Sequence, residues 1–169
     1  MTTIEPTVSA DKSKTFATWI AIVGGTMGWH RFYLHGFRDL LGWLHPLPTL
    51  VGLYGVMRAQ SLGQDDQLAW VLIPFVGCTI TASMLCAIVY GLTSDEKWNT
   101  RFNGGRAASR SGWAAVLGVI LALLVGAGVL MATIAFSTQR YFEHEAETEA
   151  ASVSQPATPT APPPTPSAY

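Results

Sequence analysis

Leu68-Ala-Trp-Val-Leu-Ile-Pro-Phe-Val-Gly-Cys-Thr-Ile-Thr-Ala-Ser-Met-Leu-Cys-Ala-Ile-Val-Tyr-Gly-Leu92 runs for 25 residues without a charged side chain. At about 1.5 Å rise per residue, a helix of that length crosses a hydrocarbon core of about 30 Å with residues to spare. Gly112 to Phe136 is a second uncharged run of 25, almost wholly aliphatic from Val116 to Met131. A globule of 169 residues has no interior able to hide two such helices, so both predict transmembrane spans. Composition agrees, with 12% charged residues against roughly 25% in an ordinary globular protein. That deficit argues against a soluble enzyme. A formal net charge of -1, with the basic residues scattered, leaves no broad basic face and so predicts no nucleic-acid partner.

The first half of the chain is less plain. Thr15 to Trp29 is an uncharged run of only 15 residues, so the expected span continues through His30-Arg31-Phe32-Tyr33-Leu34, with Arg31 snorkelling to the headgroups. Leu40 to Met57, 18 uncharged residues between Asp39 and Arg58, predicts the returning helix. His45-Pro46-Leu47-Pro48 removes two backbone donors there and predicts a kink or a broken first turn. The expected fold is therefore an all-α integral membrane protein with four spans, about 15 to 34, 40 to 58, 68 to 92 and 112 to 136. Residues 1–14 form a polar N-terminal segment, and no small-x-small cleavage pattern follows it, so span one is expected to be retained. Residues 12–58 form a hairpin and 59–136 a second helix pair. Residues 137–169 carry Glu143, Glu145, Glu147 and Glu149 and then a Pro-rich stretch, a composition that predicts a disordered tail, partly polyproline II. Cys78 and Cys86 lie about 12 Å apart along one helix, too far for a disulfide and consistent with small packing residues.

The most specific motif begins at Lys12-Ser13-Lys14, passes through Gly24, Gly25 and Gly28, and ends in His30-Arg31-Phe32-Tyr33-Leu34 with Gly36 close behind. This pattern resembles the TM-two domain family, in which a Lys-rich lead-in precedes a Gly-rich helix that ends in Gly-x-(His or Asp)-Arg-Phe-Tyr-Leu-Gly before a short loop and a second helix. The resemblance covers about residues 12–58. His35 intrudes between Leu34 and Gly36, and the second helix lacks the paired Trp and the Asp that the family often carries. The resemblance implies an integral membrane hairpin of mostly unassigned biochemical activity. It supplies no reaction and no cofactor, and in animal members the Arg-Phe loop faces the cytoplasm.

The same residues also have a physical reading. Gly24 and Gly28 form a Gly-x-x-x-Gly pair, expected to open a packing groove where lipid gives no hydrophobic drive for association. Ala114, Gly118, Ala122 and Gly126 recur every fourth residue and predict a second contact stripe, serving either the bundle or a homo-oligomer. Arg31 is expected at the interface with Asp39 as its nearest partner. His30 and His35 lack the Cys or acidic companions of a metal site. His45 is the one ionisable residue inside a span, a possible intramembrane polar site, although a neutral imidazole could donate to a carbonyl freed by the neighbouring prolines.

Three function classes follow. A non-enzymatic inner-membrane scaffold or accessory subunit, partnered by lipid and by other membrane helices or further copies of itself, fits best. A small oligomeric transporter or channel component is the alternative, weakened because spans three and four offer only hydroxyls such as Thr79, Thr81, Ser83 and Thr133. An intramembrane enzyme lacks its Ser-His pair or His-Glu-x-x-His set. With four spans, Lys and Arg counts favour both termini outside the cytoplasm of a bacterial cell.

Overall fold

The computed structural model describes residues 11–63 and 65–154. All regular structure among them is helical: α1 Lys14–Gly24, α2 Trp29–His35, α3 Leu40–Leu44, α4 Pro46–Leu62, α5 Gln67–Leu92, α6 Asp95–Phe102 and α7 Trp113–Ser154, with a 3-10 turn at Gly25–Met27 between α1 and α2. Three segments are long and apolar enough to cross a membrane: Leu40–Leu62, Gln67–Leu92 and Trp113–Ser154.

The central helix is α5, against which α1, α4 and α7 all pack. The carboxylate of Asp66 caps it by accepting from the Ala69 amide, which satisfies a donor the helix itself cannot. Its pairing with α7 follows a heptad. A Cβ added at Gly77 would lie 2.0 Å from Oγ1 of Thr133, one at Gly91 2.2 Å from Cγ2 of Val119, and one at Gly126 2.8 Å from Cβ of Met84. Positions 77, 84 and 91 thus meet 133, 126 and 119 in antiparallel order, the seven-residue spacing of a left-handed helix pair. Backbones approach this closely because the residues at the seam are small, and the gain is dispersion contact, since lipid tails are as apolar as Leu. On another side of α5, Gly52 and Gly55 bring α4 against Val76, Leu72 and Ile73.

The expected stripe on the last helix is present with one shift. Gly118, Ala122 and Gly126 are buried, but Ala114 is exposed and Ala115, 2% accessible, takes its place. Gly118 faces Thr18 of α1 and Gly126 faces Met84 of α5, so the stripe serves the intramolecular bundle.

Three expectations are corrected. The segment from 15 to 34 is not one helix: α1 ends at Gly24 and α2 runs back beside it. Phe16 and Tyr33 pack edge to face at 5.2 Å, and the Ser13 amide donates to the Tyr33 hydroxyl at 2.8 Å. The cause is Gly28, whose φ of +76° lies in the left-handed region and stops the helix. The stretch between the expected spans 68 to 92 and 112 to 136, where no element was expected, contains α6. It has a Ser94 cap, Asp95 and Glu96 in the first turn and Arg101 in the last, each placed to suit the helix dipole. Finally, α7 continues through residues 137–154, where a disordered tail was expected. Contacts three or four residues apart hold this stretch, among them Gln139 to Glu143 at 2.8 Å and Tyr141 to Glu145 at 3.0 Å. The Pro-rich stretch lies outside the described residues. The break expected at the prolines does occur, with α3 ending before His45 and Pro46 opening α4, where its missing N–H costs no bond.

Gly126→Leu is expected to lower the melting temperature of detergent-solubilised protein, because overpacking a filled seam costs about 1–3 kcal/mol. Gly128→Leu, where a Cβ meets nothing within 4 Å, is expected to melt like the wild type. Equal melting of the two would overturn the seam.

Candidate functional site

The motif residues assemble into a helical hairpin closed by a polar latch. Lys14 is 1% accessible. Its ammonium donates to the Thr93 carbonyl at 2.8 Å, to Oδ1 of Asp95 at 2.7 Å and to the Ser111 hydroxyl. Ser111 in turn donates to Asp95 from its hydroxyl at 2.5 Å and from its amide at 2.8 Å. A buried ammonium is tolerated only when its three protons are taken up, and here they are. A second layer lies alongside. Trp98, 1% accessible, donates to the Lys12 carbonyl at 2.7 Å, and the Lys12 amide donates to Asn103 at 2.7 Å. Asn99 exchanges two bonds of 2.9 Å with the backbone of Ser109. The Lys12 ammonium reaches the Leu34 carbonyl at the far end of α2. Both ends of the hairpin are therefore fixed at the Thr93 end of α5.

The hairpin tip is made by the glycines. A Cβ at Gly24 would come 2.3 Å from Cε3 of Trp29, one at Gly25 2.6 Å from Cβ of Ser83, and one at Gly28 2.5 Å from the Gly42 carbonyl. Gly24 and Gly28 do not form a groove on one helix face, as their spacing suggested. Gly24 closes α1 and Gly28 is the hinge, because the chain turns between them. Thr49 donates to the Thr26 carbonyl at 2.8 Å and ties the tip to α4.

Beyond the hinge, the motif divides. Leu34, 3% accessible, packs with Ala17 and Trp98, while Phe32 packs on Phe37 at 5.5 Å and on Trp43 at 5.3 Å. Nε of Arg31 pairs with Asp39 at 2.7 Å, as expected, and this bond holds the Asp39 carboxyl below its ordinary value. Gly36 lies in the turn to α3, its amide donating to the Phe32 carbonyl.

His30 and His45 meet edge to face with ring centroids 5.5 Å apart, and Tyr90 lies 5.8 Å from His30. His30 is 1% accessible. Nδ1 of His30 and Nε2 of His45 are buried with no hydrogen-bond partner, so the carbonyl bond expected to satisfy His45 at this nitrogen is not made. Pairing of these two imidazoles was invisible in sequence, since the hinge at Gly28 brings them together. Two imidazoles can pass a proton but supply only two ligands. Among the described residues no group of three His, Cys, Asp or Glu side chains could hold a metal ion.

Sequence reasoning missed Lys14, Asp95, Asn99, Asn103, Ser109 and Ser111 as a unit. Their one legible signal was the Ser94-Asp95-Glu96 helix start. Compared with known proteins, the chain matches no family model, no curated protein and no solved structure. The fold of the described residues is all-helical, with three helices long and apolar enough to span a bilayer, the length and composition of a membrane protein.

Lys14, followed by the Ser111 bonds, holds the Asp95 carboxyl down at about 2. A depressed folded-state value means the contribution is complete above pH 4 and is lost as pH falls towards 2. The melting temperature should fall over that window, and Asp95→Asn should flatten this part of the profile. An unchanged profile in the variant would overturn the latch. Gly28→Leu should melt well below Ala127→Leu, since left-handed backbone at a non-glycine residue costs about 1–3 kcal/mol and position 127 is exposed.

Proposed function

We propose that the chain is a non-enzymatic multi-pass protein of a bacterial inner membrane, a TM-two-like hairpin joined to a further helix pair, which acts as a scaffold or accessory subunit through helix packing. The observation that carries this reading is where the span surfaces go. Only 22 to 28% of the three apolar windows is buried within the molecule, which leaves most of each helix for lipid or other membrane helices. The Ser and Thr hydroxyls of α5 and α7 are occupied at home. Thr81, Ser83 and Thr133 each donate to the carbonyl four residues back, and Thr79 to those of Phe75 and Val76. No polar row is left for a solute path through one copy. The alternative, a small oligomeric transporter or channel component, rests on the two buried imidazole nitrogens, Nδ1 of His30 and Nε2 of His45, that have no hydrogen-bond partner.

Orientation follows from the hairpin. Because 14–35 returns to the side it left, the lead-in, the Arg31 to Asp39 turn, α6 and the following loop share one end. Gln67 and Trp70 lie at the other end of α5, where Trp70 meets Arg140 at 5.1 Å and His144 at 6.3 Å. Eight of the ten Lys and Arg residues then sit at the lead-in end, and only Arg58 and Arg140 at the other. That asymmetry is far larger than four spans would give, and it favours the lead-in end as cytoplasmic. On this reading the N-terminal lead-in faces the cytoplasm and the end of α7 the periplasm.

Alkaline phosphatase fused after Tyr169 is expected to be active, and a fluorescent protein fused before Met1 to fluoresce. An active phosphatase after Tyr169 together with no fluorescence from the fusion before Met1 would restore four full spans and overturn the re-entrant hairpin. Purified protein in liposomes is expected to move no solute; robust flux would sink the scaffold reading in favour of the transporter.

A further inference from the structure

At the lead-in end of the bundle, α2, α5 and α6 enclose a cavity of 460 Å³ whose lining includes Arg31, His35, Lys97, Arg101, Val89 and Phe102. Its two halves differ in chemistry. Lys97 and Arg101 are one turn apart on α6 and present two cations to the same rim, with His35 across from them. Arg31 is held by Asp39, which also lies 3.9 Å from Nδ1 of His35, and Asp95 is taken up by Lys14 and Ser111, so neither of those acids pairs with Lys97 or Arg101. Glu96 lines a separate crevice with Lys97 and Arg101. Among the described residues neither Lys97 nor Arg101 forms an ion pair; the Arg101 guanidinium lies 5.4 Å over the Phe102 ring instead. Leu34, Val89 and Tyr90 supply an apolar wall, and Val89, 53% accessible, opens it sideways from α5. Thr93 marks the end of α5, and the cavity sits within a turn or two of that point, at the depth where a spanning helix leaves hydrocarbon for headgroups.

We infer that this cavity is a binding site for an anionic glycerophospholipid, its phosphate held by Lys97 and Arg101 and its acyl stems lying along Val89 and Phe102. Two unpaired cations beside an apolar wall, at the depth of the headgroups, are the chemistry that such a lipid complements. A guanidinium offers two parallel donors to phosphate, an ammonium a compact point charge, and basic pockets between spanning helices select anionic headgroups over zwitterionic ones. A free anion would use the charged rim but not the apolar wall, whereas a lipid uses both. The site goes beyond the scaffold reading and does not depend on it.

The test uses the full chain, purified in detergent and freed of lipid, titrated with dioleoylphosphatidylglycerol or dioleoylphosphatidylcholine and read by native mass spectrometry. Phosphatidylglycerol is expected to be retained at least tenfold more than phosphatidylcholine. The double variant Lys97→Gln/Arg101→Gln should lose that preference. Arg110→Gln, an exposed cation on the same end outside the cavity, should keep it. Both substituted positions of the double variant are exposed, so its melting temperature should match the wild type and separate lost binding from lost folding. Millimolar sodium phosphate should not displace the lipid. Equal retention of the two lipids, an undiminished preference in the double variant, or displacement by inorganic phosphate would each overturn the proposal, the last by making the rim a site for free anions.

Discussion

The ammonium of Lys14, taken out of water at the start of α1, is the constraint around which the rest of the bundle is arranged. Its donors reach the last turn of α5, the first turn of α6 and the loop that leads into α7. A buried cation costs a great deal unless each proton is accepted, so these four pieces of chain have to end at the same place. The Lys12 bond to the Leu34 carbonyl adds the end of α2 to the same knot. Once both ends of 14–35 are fixed on one side, the segment has to double back, and glycines at 24, 25 and 28 make the reversal sterically feasible.

That reversal determines what else can meet. It carries His30 into contact with His45 and Tyr90 and sets the Gly28 hinge against the Gly42 carbonyl. It leaves α1 short, at 11 residues, resting on α5 and α7 instead of crossing the bilayer alone. Burial in the bundle is what permits a broken, partly 3-10 backbone at that depth, since lipid offers no hydrogen bonds to free amides and carbonyls. The two long helices α5 and α7 form the frame for this packing, and their heptad of small residues sets how near the backbones come. The hairpin then fills the space where Gly118 lies against Thr18.

Polar and charged groups are distributed in keeping with the same division. In α5 and α7 the Ser and Thr hydroxyls are satisfied by their own helices, and the two imidazole nitrogens stand out as unmet demand. At the lead-in end, cations are abundant and are used in two ways: Lys12, Lys14 and Arg31 are spent on internal bonds, whereas Lys97 and Arg101 face a cavity. At the far end, Arg58 pairs with Asp66 at 2.5 Å and closes the tight connection between α4 and α5. Arg140 stacks over Trp70, so the charged part of α7 folds no further away than the end of α5.

The uncharged runs at 68–92 and 112–136 by themselves determined two helices long and apolar enough to span a bilayer, and the prolines after His45 determined the break between α3 and α4. These are local properties: hydrocarbon thickness sets a minimum length, and a missing N–H interrupts a helix wherever it falls. The glycine motif was legible as special, and so was the Arg31 to Asp39 pair, eight residues apart. Only the tertiary structure decided that the glycines form a hinge and not a groove, that the last stripe contacts α1 and α5 and not another copy, and that Lys14 finds Asp95 across 81 positions. A contact of that separation depends on the path of the whole chain, which a window of hydropathy does not contain. The side on which each charge emerges depends on the same path, so one reversal at Gly28 turned a nearly even distribution of cations into a strongly uneven one.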